Sequence, residues 1–287
     1  MTSAPTQTMP APKRIPRANC TRWDLTAIGL LVAFIMFFPI LWMIITGFKS
    51  EQDAISIPPK FFFNFTLESF NEAILRSDYL RHFGNSIISA IGSTIIALLL
   101  AVPAAYAMAF YPTKRTNGTL LWILSTKMMP PVGVIIPIYL IFVQLRILDN
   151  IIGLTLMYTV MNLPVVIWTL FAYFKELPVE IFEAAKVDGA SVWQELTVLL
   201  LPLSLPAIAS SALLAVIFAW NEAFWSLNLT SFNATPLTIF VSSFKTAEGL
   251  FWAKMSAAST LAILPVMVLG WLAQKQLVRG LTMGAVK

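Results

Sequence analysis

The sequence predicts an all-α membrane protein with six transmembrane helices. Hydrophobic residues fill 58% of the 287 positions and charged residues only 11%, against about 25% charged in a typical soluble domain. With a mean hydropathy of +0.78, a water-soluble globule would be left with large apolar patches outside. The apolar residues also fall in runs of about twenty, the length a helix needs to cross roughly 30 Å of hydrocarbon.

Residues 1–20 are rich in Pro, Thr, Ser and Ala and lack an apolar stripe, so they read as a flexible cytoplasmic tail before a membrane domain at 21–287. The first run, 25–46, is too long for the apolar core of a signal peptide, and no small-x-small cleavage site closes it. Pro39 within it predicts a kink. The second run, 85–110, carries Ser86, Ser89, Ser93 and Thr94, which read as packing residues. The third, 120–143, holds Pro130, Pro131 and Pro137, and the fourth, 151–174, holds Pro164. Runs at 205–225 and 256–273 complete the six. Proline is ordinary in such helices, because neighbours satisfy the freed carbonyls. Broken helices also suit a moving transport path.

Lysine and arginine set the sidedness. With six spans and an inside N-terminus, eleven fall on the cytoplasmic side and seven outside, with Lys127 inside a span. Cytoplasmic loops carry the excess, and the cluster Lys13, Arg14, Arg17 and Arg22 directly before the first run agrees. The loop at 47–84 is then external, with aromatics at 61–65 and an expected short interfacial helix. Tight turns are expected at 111–119 and 144–150, a cytoplasmic loop at 175–204 and an external loop at 226–255.

Several function classes drop out. The formal charge of +5 is scattered, which argues against a nucleic-acid partner, whose phosphates need clustered cations. One cysteine, Cys20, and one histidine, His82, leave no disulfide, no cysteine metal cluster and no multi-histidine metal site. A secondary transporter predicts inverted repeats and buried acids near the midplane; neither is evident. A membrane-embedded enzyme would need clustered catalytic groups, and none occur.

The loop sequence at 177–206, LPVEIFEAAKVDGASVWQELTVLLLPLSLP, is the most specific feature. Pro178 suits a helix start, since its missing N–H would be unpaired there. Glu180 and Glu183 follow in the early turns, where carboxylates are favoured. Gly189 can take a turn conformation closed to larger residues. A short helix with small side chains and an acidic flank suits docking into another protein. It suits lying on anionic lipid badly.

Glu183, Ala184, Ala185 and Gly189, with Leu201 and Pro202 further on, resemble the EAA motif of ABC importer permeases. Over nearly the whole chain the sequence is similar to the MalG-type subunit of carbohydrate importers, with the MetI-like permease fold. The resemblance implies a bacterial inner-membrane protein with both termini cytoplasmic. Its implied partners are a MalF-type second permease, two ATP-binding subunits and an extracytoplasmic solute-binding protein. It implies that Glu183, Ala184, Ala185, Asp188 and Gly189 couple to an ATPase subunit, that 226–255 meets the binding protein, and that 284–287 reaches toward the ATPase interface. The chain has no P-loop, so ATP and Mg belong to the partners, and no cofactor or metal is expected here. The stretch 221–231 and the ending TMGAVK look most similar to permeases for mannitol and sorbitol, with a disaccharide or a glycerol phosphate as alternatives.

Polar groups within apolar runs mark a candidate substrate pathway, since they are costly against lipid. Lys127, Asn162, Trp220, Asn221 and Glu222 are the candidates, indole and amide together suiting a sugar. The competing roles are a membrane-edge anchor for Trp220 and a helix-to-helix hydrogen bond for Asn162.

Overall fold

The computed structural model describes residues 23–75, 78–246 and 249–282. The N-terminal tail with its basic cluster and Cys20, together with Arg76, Glu248 and 284–287, lies outside the described residues. Helices α1 (Trp23–Gly47), α2 (Glu51–Ala54), α3 (Glu68–Leu75) and α4 (Tyr79–Phe110) come first. They are followed by α5 (Thr116–Met128), α6 (Pro131–Gln144), α7 (Ile151–Phe174), α8 (Val179–Val187) and α9 (Val192–Gln194). A π-helical segment, Glu195–Leu200, leads into α10 (Leu201–Trp220), and α11 (Phe224–Leu229), α12 (Leu237–Ser242) and α13 (Trp252–Thr282) follow. A two-residue antiparallel pairing, Lys245–Thr246 with Gly249–Leu250, is the one strand pairing among the described residues.

Among the described residues five helices are long and apolar enough to cross a bilayer, and the bent pair α5–α6 makes a sixth if it is one span. The described residues fall into two compact units that divide between Trp42 and Met43. In the first, α1 runs through Pro39 unbroken, and Phe34, Phe38 and Trp42 form a ladder of rings 6.3 and 6.2 Å apart. These side chains recur every fourth residue and so share one face.

In the second unit α4 and α7 form the most extensive helix pair. The reason is legible along α4: Ser86, Ser89, Ala90, Ser93, Ala97 and Ala101 are buried at three- and four-residue spacing, a small-residue stripe that lets two backbones approach closely. Ile88, Ile91, Ile95 and Leu99 occupy the opposite, exposed face. The hydroxyls are satisfied locally: Ser89 donates to the Asn85 carbonyl and Thr94 to that of Ala90, both at 2.7 Å. Between α7 and α10 the rungs are polar. Asn162 Nδ2 donates to the Ala215 carbonyl at 3.1 Å, and Thr169 and Ser211 share a hydroxyl bond at 3.0 Å.

Gly153 marks the tightest point of α7. A methyl there would stand 2.5 Å from the Ile147 carbonyl oxygen and 3.2 Å from Phe142. Gly153→Ala is expected to destabilise the subunit by about 1–3 kcal/mol, read as a lower Tm in detergent. Gly118→Ala, with nothing within 4 Å and in a helix that favours alanine over glycine, should not lower Tm.

Helix α4 starts at Tyr79 instead of 85, α5 at Thr116 inside the expected turn, and α13 runs Trp252–Thr282 instead of 256–273; three further departures bear on the site. The third run is not one helix: α5 and α6 meet at 91°. Met129 is extended (φ −67, ψ 129), because a residue before proline is pushed out of the helical region, and Pro131 restarts the helix with no N–H to leave unpaired. The loop expected at 175–204 ends early, since Ser191 starts a continuous helical stretch from Val192 to Trp220. That helix stops at Trp220, not Trp225, so Asn221 and Glu222 lie in the corner before α11, where both Glu222 oxygens accept N–H groups, from Phe224 at 3.0 Å and Trp225 at 2.9 Å.

Candidate functional site

Helix α8 is a short spur at the end of the bundle formed by the C-terminus of α4 and the start of α10. Pro178 sits one place before its first helical residue. Its end is a Schellman closure: Gly189 N–H bonds the Lys186 carbonyl at 3.1 Å and Ala190 N–H that of Ala185 at 2.9 Å. The closure needs φ +82 at Gly189, yet a Cβ there would touch nothing within 4 Å, so glycine is required for conformation and not for space. Ser191 then opens the next helix with a capping box, its hydroxyl accepting from Gln194 N–H at 3.3 Å while Gln194 Oε1 accepts from Ser191 N–H at 2.8 Å.

One side chain roots α8 in the bundle. Phe182 is 1% exposed, its ring 4.1 Å from that of Phe110 and 6.5 Å from that of Tyr106. Lys186 adds its ammonium 4.5 Å above the Tyr111 ring. The opposite face is open: Glu183, Ala184, Asp188 and Gly189 are exposed and Ala185 half-buried, while Val187 is 88% exposed. Ala185, Asp188 and Gly189 also border a shallow cleft of about 310 Å³ with Gln194 and Val198.

A second site lies within the bundle. A cavity of about 570 Å³ opens at the α5–α6 break, and Lys127, Pro131, Pro137, Pro164, Glu222 and Trp225 are among its lining residues. Two pathway candidates, Lys127 and Glu222, thus meet at one cavity, with Lys127 Nζ 5.7 Å from the Phe218 ring centre. The other three are placed elsewhere. Asn162 is fully buried between α7 and α10, and its Oδ1 has no hydrogen-bond partner. Trp220 donates its indole N–H to the Ala262 carbonyl at 3.2 Å, fastening α10 to α13. Asn221 is exposed and bonds back to the Ile217 carbonyl at 2.9 Å.

At the far end the loop 231–237 is gripped from two sides. Asn85 Nδ2 donates to the carbonyls of Asn233 and Thr235, at 2.8 and 3.0 Å, and Ser86 Oγ accepts the Leu237 N–H at 2.8 Å. From the α6–α7 turn, the Asp149 carboxylate accepts N–H groups from Ser231, Phe232, Asn233 and Ala234 at 2.9–3.2 Å. Burial pushes the Asp149 carboxyl upward, and these four amides outweigh it, holding it below the usual carboxylate range.

Sequence reasoning missed Phe182, Asp149 and Glu195. Only Glu195 carried a signal, a lone acid at the head of the apolar run LTVLLL.

Comparison with known proteins gives consistent results. The model of one family, described as binding-protein-dependent transport system inner membrane component, matches residues 101–283. The probable ABC transporter permease protein y4oR of Sinorhizobium fredii is 34% identical over 91% of this chain and 94% of its own. The diacetylchitobiose uptake system permease protein DasC of Streptomyces coelicolor is 32% identical over 92% of this chain and 96% of its own. The trehalose/maltose transport system permease protein MalG of Thermococcus litoralis is 32% identical over 90% and 94%. A solved chain of a bacterial ABC transporter that imports the acidic polysaccharide alginate shares the fold, with a TM-score of 0.72 over 91% of this chain and 98% of that one at 22% identity.

Proposed function

This chain belongs to the family of binding-protein-dependent transport system inner membrane components, and on that premise we propose that α8 is the helix through which an ATPase subunit drives it. It is a membrane permease subunit, and ATP hydrolysis belongs to separate subunits. In the full reading it pairs with a second, MalF-type permease above two ATP-binding subunits that hold ATP and Mg. A solute-binding protein delivers the ligand from outside, and both termini are cytoplasmic.

The observation that carries this reading is the two-faced build of α8. One face is locked to the bundle by Phe182. The other presents Glu183, Ala184, Asp188 and Gly189 to whatever lies beyond. A small-residue surface permits close seating in a cleft, and Glu183 is assigned an ion pair with a basic residue of the ATPase subunit. A rigid spur transmits displacement, as an alternating-access mechanism requires.

The substrate is proposed as a sugar. DasC and MalG are named for diacetylchitobiose and for trehalose/maltose, which favours a disaccharide over the sugar alcohols that the stretch 221–231 suggested. The cavity at Lys127 and Glu222 is proposed as part of the pathway, its volume of about 570 Å³ lying within the range of ligand pockets, roughly 300–1,000 Å³.

Co-expression of this chain with its partner subunits in proteoliposomes, loaded outside with binding protein and labelled trehalose, diacetylchitobiose or mannitol, tests both proposals. ATP-dependent uptake of a disaccharide is expected. Gly189→Leu should strain the φ +82 closure by about 1–2 kcal/mol and lower binding-protein-stimulated hydrolysis with the complex still assembled. Unchanged hydrolysis and uptake in that variant would remove the coupling role.

A further inference from the structure

Glu195 is 1% exposed and stands at the first position of the π-helical segment that joins the α8–α9 corner to α10. Its Oε2 accepts the Tyr106 hydroxyl and, at 3.2 Å, the Tyr111 hydroxyl. Tyr106 lies on α4 and Tyr111 is the residue that ends it. These are also the residues against which α8 rests: Phe182 lies by the Tyr106 ring and Lys186 over that of Tyr111. One buried carboxylate therefore ties the root of α10 to the two rings that receive α8.

A buried carboxylate is costly unless its bonds are made, and π-helical turns within longer helices gather at functional positions. An apolar residue would pack this corner without the charge. What the carboxylate adds is two bonds from phenol hydroxyls to one charged acceptor, across a junction where three helices meet. Displacement of α8 then moves α4 and α10 together. The helix α4 carries it on to α7, its most extensive partner, and α7 lines the cavity through Met157, Met161 and Pro164.

On the importer reading above, we propose that Glu195, Tyr106 and Tyr111 are positioning residues forming a strut that converts motion of α8 into joint motion of α4 and α10, so that hydrolysis is coupled to passage of solute. Without it, α8 still docks, but the bundle follows it incompletely.

The readout is solute transported per ATP hydrolysed in proteoliposomes holding the complete complex. Glu195→Gln keeps the volume and one acceptor oxygen, and Tyr106→Phe removes one bond. Each is expected to lower that ratio about five-fold or more, the lower end of usual site-to-site coupling. The double variant should be no worse than the worse single one, since both cut the same strut. A merely structural role would reduce Tm and yield but leave the ratio of assembled complexes untouched, and that result overturns the proposal. If Glu195→Gln does not assemble, Tyr111→Phe decides, because Tyr111 is 42% exposed and loses only its bond; an unchanged ratio there is equally fatal. Absence of ATP-driven uptake in the wild type counts against the importer reading itself, and is seen before any variant is compared.

Discussion

Phe182→Ala is expected to separate hydrolysis from transport while leaving the membrane bundle folded. The ring is buried against Phe110 and Tyr106, and truncating a buried phenylalanine costs about 3–5 kcal/mol. The loss falls on one short helix. Of the nine residues of α8, Phe182 alone is buried, so α8 keeps its exposed face and loses its root. The measurement is a pair of assays on one preparation: ATPase subunits should still co-purify, and solute uptake should fall by at least about ten-fold, the equivalent of roughly 1.4 kcal/mol. Phe182→Leu, which refills most of the pocket, should restore most of the uptake. Full uptake by the alanine variant would mean that α8 transmits nothing through this contact.

Asp149 governs the opposite end. Its carboxylate gathers four successive backbone N–H groups of 231–234, and no other side chain bonds all four. Removing it in Asp149→Ala leaves these donors to water and frees the loop. The expected destabilisation is about 2 kcal/mol, since hydrogen bonds to a charged group contribute about 1.5–3 kcal/mol each and the site is partly solvated. The pH dependence follows from the depressed carboxyl. A group whose folded-state pKa is lowered stabilises the fold above its unfolded value, about 3.9 for aspartate, and loses that contribution as pH falls through the lower folded value. The Tm gap between wild type and Asp149→Ala should therefore be constant from about pH 8 to pH 5 and close below about pH 4. A gap that persists in acid would show that packing, not the carboxylate, holds the loop. Such a loop, fixed also by Asn85 and Ser86, is preformed and would order little on meeting a partner.

Helix α7 shows how far local signals reach. Its bounds, Ile151–Phe174, match the expected run because the start is written in the chain: Asn150 accepts the Ile152 N–H at 2.8 Å, and an unbroken apolar run follows. The third run shows the limit. Pro130 and Pro131 announced a disturbance, but a proline pair restricts torsions without fixing the angle between two helices, and the 91° bend depends on what each half packs against. Asn162 is a second case. As a polar group in a span it read equally as a pathway lining or a helix tie, and the Ala215 carbonyl, 53 residues away in sequence, decides where its amide goes.

Composition and the length of the apolar runs, which act within one helix, determined by themselves that this chain enters a membrane as helices. The residue types from Glu183 to Gly189 marked one loop as a candidate docking element. Only the tertiary structure decided what stands behind that loop: Phe182 in its socket, and Glu195 bonded to phenols 89 and 84 residues distant. The physical reason is range. A helix period states which residues share a face, whereas the partner of a buried carboxylate is chosen by which helices pack together, and that choice is made by the summed contacts of the whole bundle.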